Sequence, residues 1–291
     1  MKKVGFIGMG IMGVRMASNL QKGGYQITVH NRTQDKAATL VEKGAIWAAS
    51  PKEMAQENKL IITMLSTPEV IQTIALGENG FLEHMKKDSL WLNCSTVNPS
   101  FAKEMNTAAI ARGIRYIDAP VAGTKAPAEK GELLFLTGGN QNDINQVQPL
   151  LDLMGKKTIH LGDVGQGSNM KMLINALLAQ SMMAFSEAMV LGQGMGISEE
   201  VLFNVLLNTP VVAPFLQLVR SKMETSDFEA NFPLQWMHKD LHLAATTAYE
   251  QGVATPSLNN TKELYALAMQ HGYIATDFSS IYAFLKAQNK V

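Results

Sequence analysis

Only one cysteine, Cys94, stands among the 291 residues. That excludes an internal disulfide framework and the multi-cysteine zinc sites, and it fits a reducing cytoplasm as the compartment. Net charge is missing as well. Twenty-five basic side chains balance twenty-five acidic ones, so no overall field favours nucleic acid or an anionic membrane surface, and an anionic ligand has to be met locally. No metal site is expected. His238 and His242 are spaced i, i+4, but Lys239 rather than an acid follows the first of them, unlike HExxH. Long unbroken apolar runs are also absent. The opening MKKVGFIGMGIMG carries two lysines and an apolar stretch in the manner of a signal peptide, yet glycines interrupt it, and it reads as a first strand. The most apolar later segment, Met172 to Leu191, contains Asn175, Gln180, Ser181, Ser186 and Glu187. So many polar groups argue for a core helix at a subunit contact over a lipid-facing span.

What is present is a change of pattern along the chain. Up to about residue 162, short apolar runs (KVGFIG, YQITVH, KLIITML, SLWLNC, RYIDAP, ELLFLTGG, KTIHL) alternate with helical stretches. Such alternation indicates βαβ units and a parallel sheet covered on both faces. ELLFLTGG follows RYIDAP through a loop, so an antiparallel or mixed edge is expected there. After GDVGQGS the period changes to that of helices, at about 165–194, 198–208, 211–224, 234–251 and 258–270. The expected fold is therefore α/β: an N-terminal doubly wound, Rossmann-type domain over 1–162 and an all-helical substrate and oligomerisation domain over 163–291. The helix that starts near residue 165 is apolar around more of its circumference than one small helical domain covers, which points to a homo-oligomer, a dimer or tetramer.

Gly8, Met9, Gly10, Ile11, Met12 and Gly13 form GxGxxG directly after a strand and at the head of a helix. That is the context in which the motif binds a dinucleotide: a tight turn, close backbone approach to the pyrophosphate, and close helix packing. At the end of the second strand, an NAD-binding protein presents an acid to the ribose 2′-hydroxyl. Here Asn31, Arg32 and Thr33 stand instead. Arg32 suits a 2′-phosphate, and Asn31 and Thr33 offer hydrogen bonds, so NADP(H) is preferred and NAD(H) remains possible. Against this, Thr33 is also a candidate helix cap and Asp35 a candidate ribose ligand. Further on, GQGSNMKMLIN sets Lys171 in a run that otherwise reads as a buried helix face, with Asn175 one turn later on the same side.

FIGMGIMGVRMASNL, NCSTV at 93–97, DAPVAGT at 118–124, GQGSNMKMLIN at 165–175 and FPLQWMHKDL at 232–241 together resemble the β-hydroxyacid dehydrogenases, the 3-hydroxyisobutyrate dehydrogenase family. The likeness covers essentially the whole chain. It is strongest toward the NADPH-dependent glyoxylate and succinic semialdehyde reductases, and it implies a 6-phosphogluconate dehydrogenase-like fold. It further implies that Met64, Leu65, Thr96, Phe232 and Lys239 contact the cofactor and that Ser95, Ala122, Gly123 and Thr124 border the substrate. Lys171 becomes the catalytic residue, with Asn175 beside it. The family's usual DAPVSG reads DAPVAG here, so Ala122 lacks a hydroxyl that would hold the substrate. The activity implied is reduction of a small aldehyde acid to the hydroxy acid, with Lys171 protonating the developing alkoxide. The alternatives are NAD-dependent oxidation of 3-hydroxyisobutyrate or a related 3-hydroxy acid such as that of tartronate semialdehyde, and a non-enzymatic cofactor-binding redox sensor.

Overall fold

The computed structural model describes residues 3–289; the terminal pairs of residues of the two expected domains lie outside them. The chain divides into two compact units, 1–171 and 172–291.

The first unit begins with β1 (Lys3–Ile7), α1 (Gly13–Lys22), β2 (Gln26–His30), and a 3₁₀ turn leading into α2 (Ala38–Glu42). It continues with β3 (Ile46–Trp47), α3 (Pro51–Glu57), β4 (Leu60–Thr63), α4 (Pro68–Leu76), β5 (Leu90–Asn93), α5 (Pro99–Ile110) and β6 (Arg115–Asp118). The helix starts are written locally. Ser50 and Thr67 accept the N–H of the third residue of α3 and α4, and a proline fills the first position of each. The six strands form one parallel sheet in the order β3-β2-β1-β4-β5-β6. Its two faces are buried in separate apolar clusters, one around Phe6, Val29 and Leu92, the other around Ile61, Trp91 and Met105. The two-residue β3 and the short α3 leave too little periodicity to read from sequence.

After β6 come β7 (Val121–Ala122), α6 (Lys125–Lys130), β8 (Leu133–Thr137), α7 (Gln141–Met154) and β9 (Gly155–His160). The expected mixed pairing is present, but in a sheet of its own rather than at the edge of the first. β8 pairs antiparallel with β7 and parallel with β9 in a second, three-stranded sheet. A single antiparallel bridge, Asp118 to Gly138, ties it to the first.

α8 (Gln166–Gly194) runs from the first unit into the second. The second unit is otherwise α9 (Glu199–Leu206), α10 (Leu216–Thr225), α11 (Leu234–Glu250), α12 (Pro256–Ala268) and α13 (Ile281–Gln288) around one apolar core. α10 begins later than the expected 211, since Pro210 and Pro214 hold the preceding stretch in turns. Among the described residues, α8 is the one helix long and apolar enough to cross a bilayer, and 44% of its most apolar window is buried in protein. Its outward side carries Leu173, Leu177 and Leu191, each at least 60% exposed.

Candidate active site

The sheet delivers the phosphate loop. At Gly8, φ is +104° and a Cβ would run into the Met64 carbonyl; at Gly13, a Cβ would run into the carbonyl of Gly8. A Cβ at Gly10 would meet nothing within 4 Å. The loop is thus closed by its outer glycines and open at its middle one. No acceptor among the described residues takes the N–H of Ile11 or Met12, and the positive end of α1 lies behind them, so the cradle suits a pyrophosphate. The Met9 side chain is buried in the sheet core, and its N–H donates to Asn31 Oδ1 at 3.0 Å. Asn31 Nδ2 in turn donates to the Thr33 carbonyl at 2.9 Å. Asn31 is therefore a brace between β2 and the phosphate loop, and one of its two amide hydrogens is spent on Thr33. Thr33 makes no side-chain cap to the following turn, and Arg32 is exposed.

Below the next loops lies a buried polar network. Thr63 Oγ1 donates to Asn93 Oδ1 at 3.0 Å and accepts from Trp91 Nε1 at 2.9 Å, while Asn93 Nδ2 donates to the Tyr116 hydroxyl at 3.0 Å. Burial pushes the Tyr116 pKa well up, with the Asp118 charge adding to it, so this hydroxyl stays neutral. Asn93 Oδ1 also accepts the Ser95 N–H, and the Ser95 hydroxyl oxygen accepts the Leu65 N–H at 2.9 Å. Ser95 is fully buried. It holds the loop carrying Met64 and Leu65 to the loop carrying Thr96. Half-buried Ala122 ends β7, Gly123 follows with φ +122°, and Thr124 leads into α6 without a side-chain cap.

Lys171 lies early on α8 and is 8% exposed. One turn on, and in the second unit, Asn175 is buried and its amide donates to Asp240 Oδ2 at 2.5 Å. The other oxygen of Asp240 pairs with Lys239 Nζ at 2.7 Å. The carboxylate thus joins two residues expected at the site, Asn175 from α8 and Lys239 from α11. Phe232 precedes α11, its ring centroid 5.9 Å from that of Phe278, and its N–H donates to the buried carboxylate of Asp277. Asp240 received no role from the sequence, although an acid within an apolar helical stretch was the available signal. The 65-residue separation from Asn175 hides the pairing.

Residues 3–162 match the family described as the NAD binding domain of 6-phosphogluconate dehydrogenase. Residues 165–285 match the NAD-binding region of NADP-dependent 3-hydroxyisobutyrate dehydrogenase. Fold and phosphate loop together define an NAD(P)-dependent oxidoreductase. Among curated relatives, the chloroplastic glyoxylate/succinic semialdehyde reductase 2 of Arabidopsis thaliana is 36% identical, over 98% of this chain and 79% of that protein. The NAD-dependent L-serine dehydrogenase of Pseudomonas aeruginosa is 34% identical over 97% of both. A Mycobacterium tuberculosis 3-hydroxyisobutyrate dehydrogenase solved with L-serine superposes with a TM-score of 0.87 at 27% identity, covering 98% of this chain and 99% of that one. The chain belongs to the 3-hydroxyisobutyrate dehydrogenase family, and it is an enzyme rather than a sensor.

Proposed function

We propose that this enzyme reduces a small aldehyde acid, glyoxylate or succinic semialdehyde, with NADPH, and that Lys171 is its general acid. The observation that carries the reading is Lys171 itself. A lysine 8% exposed is rare without a purpose, and one helical turn separates it from an asparagine anchored by a buried carboxylate. The bound nicotinamide supplies the hydride. The Lys171 ammonium hydrogen-bonds the carbonyl oxygen, stabilises its growing negative charge and delivers the proton. Asn175, held by Asp240, supports the same oxygen. Backbone N–H groups at Gly123 and Thr124 bind the substrate carboxylate, standing in for the hydroxyl absent at Ala122. Arg32 pairs with the 2′-phosphate, a role supported by its exposure and by the missing acid at the end of β2. The likeness to the Arabidopsis reductase supports the substrate class.

A second reading is NAD-dependent oxidation of a 3-hydroxy acid. The Pseudomonas relative's name and the mycobacterial structure with L-serine favour it. Initial rates with NADPH and NADH against glyoxylate, succinic semialdehyde, 3-hydroxyisobutyrate and L-serine separate the two. Fastest turnover with NADPH and an aldehyde acid supports the first reading, and fastest turnover with NAD and a hydroxy acid replaces it by the second.

We also propose that the exposed Leu173, Leu177 and Leu191 side chains of α8 are covered by a second copy of the chain in the reducing cytoplasm, with no role in a membrane. Sedimentation at the monomer mass of 31.7 kDa would overturn this.

A further inference from the structure

The start of α8 lacks the side chain that helices ordinarily use there. An N-cap residue accepts the N–H of the third helical residue through its own oxygen. α8 begins at Gln166, so the cap position is Gly165, which has φ +98° and no side chain. The third residue is Ser168. Its N–H is taken by Asp118 Oδ2 at 2.8 Å, and Asp118 Oδ1 accepts the N–H of Gly165 itself at 2.9 Å. A carboxylate at the end of β6 thus does the work of the missing cap, from 47 residues away in sequence.

The niche around this carboxylate is built for it. Asp118 is 1% exposed, and its backbone exchanges hydrogen bonds with Gly138 at 3.1 and 2.8 Å. A Cβ on Gly138 would run into Oδ1, and a Cβ on Gly167 would stand 3.0 Å from Oδ2 and collide with the Leu136 carbonyl. Two glycines therefore clear the space in which β6, the end of β8 and the first turn of α8 close on one side chain. The negative charge also sits at the positive end of a 29-residue helix. Lys171 is three residues beyond Ser168, about 4.5 Å along the axis.

We propose that Asp118 is a positioning residue, which sets the axial register and rotation of the first turn of α8 and thereby places the Lys171 ammonium. This rests on the reading of Lys171 as proton donor. A shift of about 1 Å in a catalytic group is enough to cost on the order of 10²-fold in rate.

The test uses the full chain with Asp118→Asn and Asp118→Ala. Asparagine keeps one acceptor and the shape but loses the charge and the second acceptor. The expected result is a fall in kcat of about tenfold for Asp118→Asn and more for Asp118→Ala, with the Kd for NADPH within about twofold of wild type. In a Lys171→Ala background, Asp118→Asn should cost little more. Unchanged kcat in Asp118→Asn, a full multiplicative loss on top of Lys171→Ala, or a parallel fall in NADPH affinity would each overturn the proposal. Hydrogen exchange on residues 165–172 keeps the two ideas apart. If Lys171→Ala itself turns over normally, the proton-donor reading fails. In that case lost amide protection in Asp118→Asn still establishes the cap, and unchanged protection removes it. Should Asp118→Ala fail to fold, Asp118→Asn, which keeps the shape, carries the test with the same outcomes.

Discussion

The two units of this enzyme hold their functional groups in different ways. In the first, the groups expected to meet the cofactor are largely backbone: the open middle of a glycine loop, the N–H groups just ahead of α1 and the loops after β4 and β5. Apart from Arg32 and Lys171, the side chains singled out there serve as braces, as Asn31 does for the phosphate loop and Ser95 for the Leu65 loop. In the second unit the groups expected to act are side chains on helices, and a buried acid joins them: Asp240 holds both Asn175 and Lys239. A parallel sheet brings its loops to one edge by topology alone. A helical bundle offers no such edge, so each functional side chain needs its own partner.

That difference predicts how each part fails. On the proposed mechanism, Lys171→Ala removes the proton donor and its electrostatic help together, and turnover should fall roughly 10²–10⁴-fold with NADPH binding nearly intact. Lys171→Arg keeps the charge but scarcely releases a proton, so it should stay severely impaired. Near-normal turnover of the arginine variant across pH would reduce the lysine to electrostatics or packing.

The helical unit should be the less forgiving of losing an acid. Asp240→Ala leaves the Asn175 amide and the largely buried Lys239 without their carboxylate, a change expected to cost about 3 kcal/mol in stability. Denaturant unfolding measures it. A cost below 1 kcal/mol would show that the carboxylate is not what holds the two helices' groups in place.

In the sheet unit, replacing one exposed side chain should alter preference rather than stability. Arg32→Asp places a carboxylate where the 2′-phosphate is expected, so kcat/KM with NADPH should fall by at least about tenfold relative to NADH, with little change in unfolding midpoint. Equal efficiency of the wild type with the two cofactors would remove the premise.

The same contrast explains what was legible in the sequence. GxGxxG, the missing acid after β2 and the alternation of strands and helices are local patterns, and they place the Rossmann sheet and its loop correctly. That Lys171 and Asn175 share one side of a helix is legible because a helix repeats every 3.6 residues, and both lie on α8. The roles of Asp118 and Asp240 are not. Asp118 acts on groups 47 and 50 residues away and Asp240 on an amide 65 residues away, and no spacing rule reaches that far. The two family matches meet between 162 and 165, where the change of pattern lies, while the compact units divide after Lys171, inside α8, whose first turn Asp118 fastens to β6. The short β3 and the separate β7-β8-β9 sheet went unseen for a related reason: pairing partners, rather than propensity, decide strands of two residues.

A smaller effect should also be confined to the helical unit. His238, half-buried on α11, has its pKa lowered below 6.5, first by burial and then by the charge of His242; on α12, Glu263 opposes the shift and Lys262 adds to it. A histidine that resists protonation only when folded leaves the unfolded chain binding more protons as the pH falls through about 6.5. Its contribution to stability is therefore complete above that pH and is lost as the pH falls toward the lower folded value. His238→Gln removes the titration, so the unfolding midpoint of the variant should decline less than that of the wild type between pH 7.5 and about 5.5. The slope difference should be modest, since solvent reaches half of the ring. Parallel slopes for the two proteins would mean that the histidine titrates alike in both states, and that the packing of α11 against α12 puts no penalty on its charge.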